Sequence, residues 1–235
     1  MSKCVTTESV AYPPLLREIG SIPSPLYYKG EWRAELFERC LAVVGSRKMT
    51  SYGRAVTERI VYDVAAAGVT IVSGFMYGVD ATAHKAALDA GGKTIAVMAG
   101  GVGFITPADQ VALYARILAG GGLVISEYDG KMPPQAWGFP RRNRIVAGLA
   151  HAVLVVEAAA DSGSLITADY ALRFGRALLA VPGNVTSLSS KGTLGLLQSG
   201  ARLVVDSADI LSVFGLKPAD AIRENKILAI LDNAG

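Results

Sequence analysis

A chain of 235 residues fits one large α/β domain, or one domain with small additions. With 51% hydrophobic and 18% charged residues it can bury a large core, which excludes disorder of the whole chain. The formal net charge of +3 is far from that of a polycation, so anion binding has to be local. Cys4 and Cys40 with two histidines make neither a zinc signature nor a disulfide framework, and they suit a reducing cytosol.

The N-terminal stretch "MSKCVTTESVAYPPLL" holds no apolar core of signal-peptide length. No apolar run reaches membrane-spanning length without glycine or charge. The expectation is a soluble, cytoplasmic protein with no membrane partner. Prolines 13, 14, 23 and 25 mark residues 1–40 as an extension: an extended segment and a short helix (31–39), packed on the main domain.

From residue 41 short apolar runs alternate with stretches of helical period. The runs are "LAVVG" (41–45), "VTIVSG" (69–74), "TIAVMAG" (94–100), "GLVISE" (122–127), "AVLVVEA" (152–158), "ALLAVPG" (177–183) and "ARLVVD" (201–206). Continuous apolar runs predict strands buried on both faces, as in a parallel sheet covered by helices. "YGRAVTERIVYDVAAAG" and "SLITADYALRFG" carry apolar residues at helical spacing and end in glycine. Alternating β and α elements over 41–215 predict a doubly wound, mostly parallel sheet with helices on both faces. After "GLKPAD" the tail, within 216–235, reads as a linker and one amphipathic helix.

In open parallel sheets ligands bind beyond the carboxyl ends of the strands. The loops there are "GSRKMTSYG", "SGFMYGVD", "AGGVGFITP", "SEYDG", "EAAADSGSLIT" and "PGNVTSLSSKGT". Most are rich in Gly and Ser and lead into a helix, so their free N–H groups suit phosphates. The usual nucleotide fingerprints fail: Thr106 stands where a G-x-G-x-x-G needs its third glycine after Gly101 and Gly103, and no P-loop is present. Glu127, Glu157 and Asp80 lie at strand ends or in loops, where an acid/base set or helix capping would both place carboxylates. His84, one helical turn after Asp80, has no metal-ligand company.

"GFPRRNRIVAGL" (138–149) puts Arg141, Arg142 and Arg144 after Pro140 and before an apolar run. That places them in the first turn of a helix, where cations oppose the helix dipole by about 0.3–1 kcal/mol each. A bound anion would convert this cost into a site, and the arginine fork suits phosphate. Arg47 and Lys48 follow the first core strand at the same edge.

Over about residues 12–212 the chain resembles the DNA-processing protein A (Smf) family. The stretches that carry the resemblance are "YPPLLREI…IPSPLYYKG", "VVGSRKMTSYG", "FPRRNRIVAGLA", "VLVVEAAADSGSLITADYALRFGRALLAVPG" and "SKGTLGLLQSGA", in that order and spacing. The resemblance implies an extended Rossmann-like domain that binds single-stranded DNA in a basic pocket. It also implies a homodimer that helps load the RecA recombinase in natural transformation, without cofactor, metal or catalytic residues. Carried over by position, the binding groups are Gly45, Ser46 and Arg47, then Ser73 and Gly74. Arg142, Asn143 and Arg144 follow, then Ser162, Gly163, Ser164 and Thr167, and last Lys191.

Departures are visible too. Tyr77 in "MYGVD" stands where the family has an arginine, which loses a phosphate contact and offers a ring for stacking. Gly103 and Thr106 replace an aspartate and a tyrosine, and Gln110 an asparagine. The tail stops where many members carry a winged-helix domain, which makes 216–235 the candidate start of one.

Three functions stay open on the residues themselves. The first is a single-stranded DNA-binding module, with Phe75, Tyr77, Phe104 and Phe139 as stacking candidates. The second is a nucleoside monophosphate N-glycosidase with Glu127 or Glu157 as acid, and the third is a nucleotide sensor without turnover.

Overall fold

A computed structural model describes residues 3–217. One sheet of nine strands organises it, in the order β1-β2-β6-β5-β4-β3-β7-β8-β9. The strands are β1 (Lys3–Val5), β2 (Leu26–Gly30), β3 (Cys40–Val44), β4 (Thr70–Ser73), β5 (Thr94–Val97), β6 (Leu123–Ser126), β7 (Ala152–Val155), β8 (Ala177–Ala180) and β9 (Arg202–Leu203). The helices are α1 (Pro14–Arg17), α2 (Ser51–Ala66), α3 (Val79–Asp89), α4 (Val111–Ala119), α5 (Gly138–Leu149), α6 (Ser164–Arg173), α7 (Lys191–Gln198) and α8 (Ser207–Leu211).

All seven apolar runs read from the sequence are strands, and from β3 to β9 every pairing is parallel. The period of two along β3 divides the core. Cys40, Ala42 and Val44 join the layer under α1, α5 and α6, whereas Leu41 and Val43 join the layer under α2, α3 and α8. Both faces of the strand are therefore covered, and β3 to β7 are buried throughout. A smaller cluster on α3 and α4 covers β5 and β6.

The first 40 residues do more than pack on this domain, because they enter its sheet. β2 pairs antiparallel with β6 (Tyr28 with Ile125, Gly30 with Leu123) and β1 pairs antiparallel with β2. Between them Tyr12, Leu16 and Ile19 join the core. Leu16 and Ile19 pack on α5 at Gly148, where a Cβ would come within 2.8 Å of Leu16. The helix expected over 31–39 is a single 3-10 turn, Ala34–Phe37. The tail helix lies outside the described residues. Among the described residues no helix is long and apolar enough to cross a membrane.

Helix α5 also departs from expectation. It starts at Gly138, before Pro140. The proline is tolerated there because the first turn needs no intrahelical donor. Arg141, Arg142 and Arg144 consequently begin at the fourth helical position and run into the second turn. The helix dipole has faded at that depth, so the arginines require another explanation.

Candidate functional site

From β3 the chain winds outward through β4, β5 and β6. It then returns to the opposite side of β3 as β7 and continues to β8 and β9. The strand order reverses between β3 and β7, and the loops beyond their carboxyl ends diverge there. Such a switch point is where an open α/β sheet holds its ligand. A cavity of about 760 Å³ lies at this place, between the loops after β3, β4 and β7 and the start of α5.

Ten of the thirteen expected site residues line it: Gly45, Ser46, Arg47, Gly74, Arg142, Asn143, Ser162, Gly163, Ser164 and Thr167. Lys48, Met76, Asp80, Phe139, Pro140 and Ile166 complete much of the wall. Phe139 is an expected stacking candidate, whereas Met76 and Ile166 carry no pattern of their own. Their adjacency to the basic and serine-rich stretches is the only sequence signal that points to them.

Three expected residues do not line the cavity. Ser73 is buried and donates its hydroxyl to the Val43 carbonyl at 2.6 Å, which ties β4 to β3. Lys191 is exposed at the first residue of α7. Arg144 leaves α5 on another face. Its Nη1 donates to Glu127 at 2.7 Å and its Nη2 donates to the second Glu127 oxygen. Its Nε donates to the Ser21 carbonyl at 3.0 Å.

The basic side of the cavity is tightly built. Arg142 is buried, donates Nη1 to the Val97 carbonyl, and donates Nε to Asn143 Oδ1 at 3.2 Å. Asn143 in turn donates Nδ2 to the Gly163 carbonyl at 3.2 Å, which fastens α5 to the serine loop. Exposed Arg47 lies over the Phe139 ring, 5.2 Å from its centroid, a cation–π arrangement that holds the guanidinium at the mouth. Two glycines allow these approaches. A Cβ on Gly74 would sit 2.7 Å from the Arg142 guanidinium and collide with the Asp80 carboxylate. Gly78 has φ +76°, and a side chain there would strike the backbone of Ser46 and Arg47.

Asp80 counters part of this charge. Burial raises its carboxyl pKa, and Arg142 and the Met76 amide pull it back. Burial lowers the Arg142 pKa, and Asp80 opposes that change. Below them His84 is fully buried, with Nε2 2.6 Å from the Gly74 carbonyl and Nδ1 2.6 Å from Thr94 Oγ1. Burial pushes its pKa down to about 4, so the imidazole is neutral at neutral pH.

The two glutamates considered as acids hold structure together. Glu157 accepts the Thr50 amide at 2.8 Å and the Thr50 hydroxyl at 2.6 Å, at the start of α2. Glu127 is paired with Arg144, and Arg141 lies 3.4 Å from it. Among the stacking candidates only Phe139 lines the cavity. Phe75 belongs to the core, and exposed Tyr77 donates its hydroxyl to Asp109 at 2.9 Å. Among the described residues no three His, Cys, Asp or Glu side chains could together hold a metal ion.

A sequence model of the family described as "DNA recombination-mediator protein A" matches residues 3–215. The protein Smf of Escherichia coli is 44% identical over 214 residues, which are 90% of this chain and 57% of that protein. The chain thus spans little more than half the length of that relative. The solved structure of DNA processing protein A from Streptococcus pneumoniae superposes with a TM-score of 0.84 at 39% identity, covering 90% of this chain and 74% of that one. The protein of the same name from Helicobacter pylori superposes with a TM-score of 0.79 at 28% identity, over 91% of this chain and 98% of that one. The latter structure was solved for its single-stranded DNA binding mode.

Proposed function

This chain belongs to the DNA recombination-mediator protein A family, and we propose that it binds single-stranded DNA in the cavity between β3 and β7. One observation supports this most: Arg47, Lys48 and Arg142 converge with two Gly/Ser loops in one recess at the switch point. Phosphates would accept from the guanidiniums and from the loop amides after β3 and β7. Such contacts follow the backbone and tolerate any base. Gly45, Ser46, Gly74, Asn143, Ser162, Gly163, Ser164 and Thr167 shape the path. Ser73 and Arg144 act from behind it by fixing β4 and α5, and Lys191 meets the strand outside the recess.

The protein works as a binding protein and not as an enzyme. Glu127 and Glu157, the candidate acids, are occupied by Arg144 and Thr50, which argues against the N-glycosidase alternative. By the family resemblance it acts in the cytoplasm as a homodimer and passes its strand to the RecA recombinase during natural transformation.

Fluorescence anisotropy with labelled single-stranded and duplex DNA, from low to physiological salt, tests the binding. Four phosphate contacts, from Arg47, Lys48, Arg142 and Lys191, give a log–log salt slope of about −3, at about −0.7 per contact on single strands. Single strands bind tighter than duplex, whose rigid cylinder cannot enter a recess. Arg142→Ala flattens the slope and lowers affinity by about tenfold, the scale of a charge-assisted bond, with circular dichroism unchanged. Tighter duplex binding, or a slope indifferent to Arg142→Ala, would refute the proposal.

A further inference from the structure

A second cavity, of about 430 Å³, opens between the loops after β3 and β8. Its wall includes Thr50, Tyr52, Glu157, Asn184, Ser187 and Ser190. Its chemistry is opposite to that of the basic recess. Among the described residues no lysine or arginine lines it, and its one carboxylate, Glu157, spends both oxygens on Thr50. A phosphate inside it would meet a carboxylate with no lysine or arginine in the wall, so the cavity suits a neutral ligand.

Two further observations narrow that ligand. Tyr52 is about half exposed, yet its hydroxyl is anchored on the Pro182 carbonyl at 2.7 Å, across 130 residues of chain. The ring is held in place before any ligand arrives, so little rotamer freedom remains to be lost. Around it stand serine hydroxyls that both donate and accept, with the Asn184 amide, whose oxygen already accepts from Thr186. A flat ring surface beside mixed donors and acceptors matches a flat, uncharged heterocycle with polar edges.

The position gives that heterocycle a source. Lys48 lines the basic recess and Thr50 lines the second cavity. Two residues of chain span at most ~7 Å, so the cavities share one short loop as their common wall. A strand whose phosphates lie in the first is within reach of the second.

We propose that the Tyr52 cavity is a nucleobase subsite, which takes one unstacked base from the strand bound in the neighbouring recess. This rests on the single-stranded DNA binding proposed above. The base stacks on Tyr52, and the serines and Asn184 bond its edge without selecting one base. The recess supplies charge, and the Tyr52 cavity makes binding depend on bases as well as phosphates.

The test compares oligo(dT) with an abasic tetrahydrofuran phosphate oligomer of equal length and charge, by anisotropy. The wild type is expected to prefer oligo(dT) by about tenfold or more, the scale of a base–aromatic stack. In Tyr52→Ala that preference falls by about threefold or more, while affinity for the abasic oligomer stays unchanged. Tyr52→Phe keeps the ring and keeps the preference. Asn184→Trp leaves the Tyr52–Pro182 bond intact and fills the cavity, so it lowers the preference even if Tyr52→Ala does not fold. Equal binding of both oligomers by the wild type overturns the subsite alone, as does a preference that survives both cavity variants. Failure of the wild type to bind either oligomer overturns the DNA-binding proposal and the subsite with it.

Discussion

Arg142 and Arg144 sit two residues apart on one helix and are almost equally buried, at 6% and 5% exposure. Residues at that spacing leave a helix on different faces, and here the faces have opposite uses. Arg144 turns to the N-terminal segment and makes four bonds, to both Glu127 oxygens and to the carbonyls of Ser21 and Arg141. Arg142 turns to the cavity and makes two, to Val97 and Asn143, and its Nη2 makes none among the described residues. Burial of an arginine therefore does not distinguish a brace from a binding group. Whether its five donors are already used does.

The largest effect expected is on the brace. Arg144→Ala leaves the Glu127 carboxylate, whose side chain is only 10% exposed, without its main partner. Breaking such a pair from one side costs about 3–5 kcal/mol, to be read from the urea midpoint. Affinity for single-stranded DNA, measured under conditions where the variant is folded, should change little. A variant of normal stability that has lost DNA would reverse the roles of the two arginines.

The next effect sharpens the cavity side, whose floor His84 supports through Gly74. Its pKa is about 4 in the fold against 6.5 unfolded. Between those values the unfolded chain binds the extra proton, so stability is complete above about pH 6.5 and is lost as pH falls toward 4. Near 1.4 kcal/mol per unit, about 2 kcal/mol disappears between pH 7 and pH 5. His151, also lowered, and Asp80, raised, titrate in both proteins compared, so the urea midpoint of wild type against His84→Gln isolates the His84 share. Equal pH dependence in the two would mean that folding leaves the His84 pKa unshifted.

The smallest effect concerns the mouth. Arg47→Lys keeps the charge but loses the fork and most of the stacking on Phe139. A loss of about 1 kcal/mol in affinity for single-stranded DNA is expected, with stability unchanged because Arg47 is exposed. Equal affinity would make the contact a matter of charge alone, and would leave Arg142 as the one guanidinium whose shape matters.

Much of this was legible in the sequence because it is local. Continuous apolar runs named β3 to β9, and in β3 to β7 the reason is burial, since a strand covered on both faces is apolar at nearly every position. The Gly/Ser loops beyond those strands marked one edge, and ten of thirteen expected residues meet there, since parallel strands deliver every loop that follows a strand to one end. The tertiary structure decided the rest, wherever a partner lies far along the chain. β1 is short and β2 holds two tyrosines and a lysine, and their pairing depends on β6, about a hundred residues away. Glu157 is a brace because Thr50 reaches it across 107 residues, and Arg144 is one because Ser21 reaches it across 123. Periodicity records which face a residue takes, but only the folded chain brings up the group that uses or spares its hydrogen bonds.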